Sequence, residues 1–285
     1  DHDVVSAGFL LSPRGLAALS ASDRGDAPEL WRVLLRRYPT IAGIFQDARA
    51  LIPMRFQRSI QHRLTQAAGD RWLLLPHAYA FVDPLFSTGI AWSLRAIERI
   101  GLMFESPARG TRSPAREDLA RYADMLGREA DQIDVLVAGA YEAMSHFDLF
   151  AAHAMIYFAI VSFAEVHQRL WPDDSAAWTG FLAVGERDCE SVPREAFRRI
   201  QGITGCVGRT GSADERRAYA DWVRAAIEPK NIAGLADPAR NNLYPVDLDM
   251  LIERHGKIEL TRDQLVAALP ALRGMSVKVS EPASR

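Results

Sequence analysis

Cysteine is scarce. Only Cys189 and Cys206 occur in 285 residues, too few for a disulfide framework and consistent with a reducing cytoplasm. A surplus of either charge is also missing. The 34 basic and 36 acidic residues leave a formal net charge of -2, which excludes a broadly polycationic nucleic-acid or membrane-surface binder. No run of about 18 uncharged apolar residues is present. The longest apolar stretch, Leu149–Val166, carries His153 near its start and Glu165 near its end, and reads as a core helix. The opening Asp1-His2-Asp3 lacks the basic-then-apolar pattern of a secretion signal. Internal repeats and low-complexity segments are absent. Seven histidines are present, but none forms an H-E-x-x-H pair. His146 and His153 are separated by a helix break expected at Ser145–Asp148, so no metal site is expected. There is no G-x-S-x-G elbow and no P-loop. Gly205-Cys206-Val207-Gly208-Arg209-Thr210-Gly211 lacks a preceding strand and reads as a loop between helices.

Hydrophobic residues make up 48% of the chain, so it can bury a core without staples. Val4–Leu11 reads as a strand ending at the Ser12–Gly15 turn cluster. Asp26 caps a helix to Arg37 that repeats Leu30, Trp31, Val33 and Leu34, and a short helix follows Pro39. Met54–Leu64 alternates like a strand and pairs with a short buried strand, Trp72–Leu75, around Gly69-Asp70. A helical run covers Ile90–Met103, with Ile90, Leu94, Ile97 and Gly101 on one face. Pro107–Pro114 is a linker. Beyond it, helices are expected at Arg116–Met144, with a stripe from Leu119 through Tyr122, Leu126 and Ala130 to Ile133, and at Asp148–Leu170, ended by Pro172–Ser175. Further helices are expected at Pro193–Ile203, Ala213–Ile227, Asp247–His255 and Thr261–Leu269, the last with a Thr261/Gln264 capping box. The tail from Val277 is polar. The expected fold is α+β: a small antiparallel or mixed sheet at the N-terminal side, then a predominantly helical body. The division falls at 1–106 and 107–285.

Chemistry concentrates between Trp72 and Gly89. A strand ends, an irregular loop follows, and Pro84 and Gly89 bracket a helix start. The amides of Phe86, Ser87, Thr88 and Gly89 are donors of the first turn, which favours an anion or a carbonyl oxygen. The plainer reading is a strand-to-helix turn capped by Ser87 or Thr88. Trp72, Trp92 and Tyr79 either flank a flat ligand or belong to the core. Arg194, Arg198, Arg199, Arg209, Arg216 and Arg217 are matched by nearby acids and read as a solvated helix face, with anion binding as the lesser reading.

Gly69–Leu75 followed by Ala78–Ile90, with Asp83-Pro84-Leu85-Phe86-Ser87-Thr88-Gly89 as its specific part, resembles the second flavin-binding segment of flavin-dependent halogenases and related FAD monooxygenases. Val5–Phe9, Tyr141–Phe150 and Asn231–Tyr244 resemble other parts of that family more loosely. The resemblance implies FAD as cofactor, with His77, Asp83, Pro84, Phe86, Ser87, Thr88 and Gly89 as cofactor-side residues. It implies reduced flavin and oxygen acting on an aromatic or carrier-bound small molecule, with a halide near Thr88 and Gly89. It further implies that Arg116–Leu170 lines the substrate side, with Tyr122, Tyr141, Phe147 and Tyr157 as walls.

The sequence departs from the family in four ways. Pro76-His77 stands where the family carries Gly-Asp; His77 retains the capacity to bond a ribityl hydroxyl, while Pro76 removes a donor. No G-x-G-x-x-G unit is present, so the diphosphate half-site is missing. The family's catalytic lysine, which lies in that front region, is missing with it. Phe86 stands where tryptophan halogenases carry a glutamate, which points to the phenol or carrier-bound branch or to a non-halogenating relative. The sequence opens at Asp1 and is read as the C-terminal portion of a longer flavoprotein, inactive by itself and weak for FAD. Its unpaired strands suggest homo-oligomers. The alternative is a flavin-free homologue acting as a partner module.

Overall fold

The structure, a computed structural model, describes residues 4–11, 13–19, 26–105, 114–170, 179–205, 211–239 and 248–268. The expectations for Asp1–Asp3, Ser12, Pro107–Ser113, Pro172–Ser175, Cys206–Thr210, Arg240–Asp247 and Val277 onward lie outside these residues. The chain divides into two compact units, Asp1–Ile60 and Gln61–Arg285.

The first unit holds α1 (Pro13–Ala17), α2 (Ala27–Arg36) and α3 (Pro39–Ile44). Asp26 caps α2 as expected, its carboxylate accepting from the Glu29 amide at 3.0 Å. Leu30, Val33 and Leu34 form one buried face, joined by Leu19 and the partly buried Phe9, Leu11 and Leu16. Val4–Leu11 is not a strand. Among the described residues it has no pairing partner, Val5 is 74% exposed, and it packs through Leu11 and through Phe9, whose ring lies 5.0 Å from Trp31. An apolar run without a partner strand does not make a ladder.

The second unit opens with two minimal antiparallel ribbons. The strands are β1 (His62–Arg63), β2 (Ala68–Gly69), β3 (Trp72–Leu73) and, after the single turn α4 (Pro76–Tyr79), β4 (Ala80–Phe81). β1 pairs with β4, placing His62 opposite Phe81, and β2 pairs with β3, placing Gly69 opposite Trp72. The strand expected over Met54–Leu64 shrinks to His62–Arg63. The expected partnership with Trp72–Leu75 gives way to these local pairings. Nor is Trp72–Leu75 buried throughout: Trp72 is 45% exposed and its indole covers Gly69. The α+β class holds, and among the described residues the strands are confined to this small region.

The α-helices that follow among the described residues are α5 (Gly89–Glu105), α6 (Arg116–Ala143), α7 (Phe147–Leu170), α8 (Arg187–Thr204), α9 (Ala213–Ile227), α10 (Leu248–Glu253) and α11 (Arg262–Ala268). α6 packs on α7 and α8, and α7 packs on α9. The α6 stripe is buried from Leu119 to Ala143. α7 is long and apolar enough to cross a membrane, with a mean hydropathy of 1.8, but 61% of that window is buried within the unit. α8 begins six residues before the expected start and keeps Pro193 within it. Thr261 and Gln264 form the expected reciprocal cap.

The shared face of Ile90, Leu94 and Ile97 exists, but it points outward: the three are 76%, 61% and 50% exposed. The opposite face of α5 carries Trp92, Ala96, Arg99 and Met103 into the core. Arg99 and Glu129 are both fully buried and paired at 2.5 Å. Glu129 also accepts from the Trp92 indole at 2.8 Å and from the Phe181 amide. Arg99 donates to the Thr179 carbonyl at 3.0 Å. One carboxylate therefore joins α5, α6 and the 179–183 segment.

His153 is equally buried. Its Nε2–H donates to the Leu136 carbonyl at 2.9 Å, and its Nδ1 accepts from the Tyr219 hydroxyl at 3.0 Å. The ring fills the space beside Gly139, where a Cβ would collide with it. Burial lowers the pKa of His153 below its ordinary value.

Two predictions follow from these buried groups. Removing one partner of the ion pair, as in Glu129→Ala, strands a buried guanidinium and is expected to cost about 3–5 kcal/mol in chemical denaturation; a loss under about 1 kcal/mol would contradict the role given to it. Because folding favours neutral His153, its stabilisation is complete above about pH 6.5 and declines as pH falls below that value. Thermal midpoints of the wild type should therefore drop from pH 7.5 to 5.5. His153→Gln should be less stable at pH 7.5 and show a flatter slope, and an unchanged slope would refute the assignment.

Candidate functional site

The segment Asp83–Gly89 links β4 to α5. Asp83 starts it: its Oδ1 accepts from the Leu85 amide at 2.8 Å, closing a local turn. The Ser87 amide donates to the Pro84 carbonyl at 2.9 Å, completing a β-turn over 84–87. Ser87 is exposed and left-handed, with φ 53°, a conformation that costs a non-glycine residue about 1 kcal/mol or more. The Thr88 carbonyl accepts from the Trp92 amide at 2.9 Å, so α5 starts where the Pro84/Gly89 bracket places it. Thr88 itself is 6% exposed.

Two phenols hold this turn from the helical side. Tyr141 on α6 donates to Asp83 Oδ2 at 2.9 Å. Burial and the Asp83 carboxylate push its pKa up to about 12, so the donor proton stays in place near neutral pH. Tyr157 on α7 donates to the Phe86 carbonyl at 3.1 Å, and its ring stacks on Phe86 with centroids 4.3 Å apart and planes 16° from parallel.

His77, at the exposed end of α4, leans over the start of α5. Its Nδ1 lies 3.0 Å from Ser93 Oγ, and its carbonyl accepts from His62 Nε2 at 3.1 Å. The ring occupies the space a Cβ on Gly89 would need. Gly89 does permit a close approach, and the group that makes it in this structure is His77. Of the seven predicted cofactor-side residues, His77, Pro84 and Ser87 are exposed, Asp83, Phe86 and Gly89 are partly buried, and Thr88 is buried, as is Pro76 at the start of α4.

The predicted substrate walls divide. Tyr141 and Tyr157 meet the turn. Tyr122 is buried and donates to the Leu74 carbonyl at 2.7 Å. Phe147, at the α6–α7 corner, is 81% exposed. Trp92 and Tyr79 belong to the core. No cluster of metal-ligating side chains occurs among the described residues. Cys189 is buried, which pushes its thiol up to about 12 and leaves it inert. Arg198 and Arg199 pair with Glu195, and Arg216 pairs with Asp148; Arg198 and Arg199 are the solvated face the sequence implies. The two phenolic tethers are roles that spacing alone does not reveal. The Arg99–Glu129 pair left a signal, since each charge sits within an apolar helical stripe.

Comparison with solved proteins shows what this architecture is similar to. The described residues have the fold of part of a halogenase of known structure. Halogenase PltM in complex with phloroglucinol and FAD matches 80% of the chain at a TM-score of 0.64 and 23% identity. A second crystal structure of PltM matches 76% at 0.60 and 24% identity. In sequence, the chain is related to the monodechloroaminopyrrolnitrin halogenase PrnC of Pseudomonas fluorescens, 30% identical over 156 residues, which cover 53% of this chain and 26% of PrnC. The tetracycline 7-halogenase of Kitasatospora aureofaciens is 26% identical over 113 residues, covering 40% of this chain and 20% of that enzyme. The chain thus covers under half of PltM and about a quarter or less of the curated relatives. No protein-family profile matches it.

The contact between His77 and Gly89 is testable. Gly89→Ala should displace the imidazole, break its bond to Ser93 and cost about 1–2 kcal/mol. Adding His77→Ala should recover most of that loss in a double-mutant cycle. Additive losses would show that the two residues do not touch.

Proposed function

We propose that this chain supplies the ring-facing turn and the substrate-side helices of a flavin-dependent halogenase that acts on a small aromatic or carrier-bound molecule. The observation that carries the proposal is the Asp83–Gly89 turn, fixed by Tyr141 and Tyr157 in a chain whose fold is that of PltM. The division of labour is placed at 106/107. Residues 1–106 carry the cofactor side, and 107–285 carry the helices that hold it and face the substrate.

The described residues suit the ring end of a flavin. Ser87, the last residue of the turn, is exposed, and its neighbour Phe86 is anchored by Tyr157. They do not suit the diphosphate end, because the sequence has no glycine-rich dinucleotide unit. When bound, reduced flavin together with oxygen would supply the oxidising equivalent. The chain's own part is orientation and electrostatics: the turn sets the ring's edge, and the first amides of α5 favour negative charge near Thr88 and Gly89, where a halide would sit. A phenolic substrate is favoured because PltM was crystallised with phloroglucinol and FAD, and because Phe86 makes the turn apolar where the tryptophan-type enzymes are acidic.

Two measurements test this. The chain alone should bind FAD no more tightly than a Kd of roughly 10 µM; stoichiometric yellow flavin in purified protein would contradict the missing half-site. The product of the whole gene, given a flavin reductase, reduced nicotinamide, oxygen and bromide, should brominate phloroglucinol. Hydroxylation without bromination would move it to the monooxygenases. Absence of flavin binding at full length would leave the partner-module reading in its place.

A further inference from the structure

We infer that Tyr157 is the positioning residue of the turn: its hydroxyl holds the 86–87 peptide with the carbonyl facing α7, so that the outer side of the turn carries no carbonyl oxygen at that peptide. The inference rests on the reading that this turn meets a flavin ring or a halide.

The 86–87 peptide is gripped at both ends. The Phe86 carbonyl accepts from Tyr157, and the Ser87 amide donates to the Pro84 carbonyl. Between them Ser87 is held at φ 53°, where a residue with a Cβ is strained. A peptide unit relieves such strain by rotating as a whole. That changes ψ of Phe86 and φ of Ser87 by about half a turn each and returns Ser87 to negative φ. The rotation would also turn the Phe86 carbonyl outward. On that reading the groups on that side would be electron-rich, a halide or a reduced flavin, and an outward carbonyl would repel them. Strain thus pushes the peptide toward the wrong orientation, and the Tyr157 hydroxyl opposes that rotation. The phenol ring is flat against Phe86, so packing and hydrogen bond come from one side chain and can be separated by deleting a single oxygen.

Tyr157→Phe keeps the stack and loses the hydroxyl. The probe is riboflavin, which carries the ring without a diphosphate, followed by quenching of its fluorescence. Ser87 amide exchange is read by NMR on the same samples. The wild-type chain should give a weak, saturable response. Tyr157→Phe should bind riboflavin about tenfold more weakly and exchange the residue-87 amide about tenfold faster, the equivalent of one hydrogen bond, with a thermal midpoint lowered by no more than about 4 °C. Ser87→Gly, which removes the strain at positive φ, should restore most of both losses in the Tyr157→Phe background. Unchanged affinity and exchange in Tyr157→Phe would overturn the inference, as would a loss that Ser87→Gly does not rescue, because that pattern belongs to lost packing. A wild-type chain without any saturable riboflavin response would sink the underlying reading and the purpose assigned to Tyr157 with it.

Discussion

The architecture of the second unit depends on a charge placed where charge is expensive. Glu129 lies inside α6 with no exposure, and it is acceptable there because Arg99, the Trp92 indole and the Phe181 amide occupy its oxygens. A hydrophobic residue at that position would tolerate several packings of α5 on α6. A carboxylate that must find three donors tolerates few. The pair therefore fixes the rotation of α5 about its own axis. That rotation decides which face carries Trp92 inward and which carries Ile90, Leu94 and Ile97 outward.

Fixing α5 also fixes its first residue, and through it the turn that precedes it. From the other side, Tyr141 and Tyr157 tie the same turn to α6 and α7. The turn is thus clamped between a helix it begins and two helices it touches. This arrangement can hold a left-handed Ser87 that a free loop would relax. Placing such a turn on rigid elements is what orientation of a planar ligand requires.

Much of this could be read from the chain. The long helices declared themselves through apolar spacing, and the caps at Asp26 and Thr261 through residue type. The Asp83–Gly89 turn stood out through Pro84, Gly89 and its likeness to the halogenases. The strands were poorly legible. Val4–Leu11 and Met54–Leu64 have the composition of strands, but pairing is a long-range property that composition does not carry. The exposed stripe on α5 shows the same limit: periodicity identified a face, but Arg99, not hydrophobicity, chose which face is buried. The phenolic tethers join residues 58 and 71 positions apart, a separation no local pattern reports.

The central claim is that the Asp83–Gly89 turn is the surface that meets the flavin ring. Photolabelling the chain with 8-azidoriboflavin, followed by peptide mapping, tests it most directly. The account predicts label concentrated on the peptide spanning residues 83–89 and on His77, competed away by unlabelled riboflavin. Label distributed without competition, or centred on the cleft lined by Asp249, Glu253, His255 and Arg262, would contradict it.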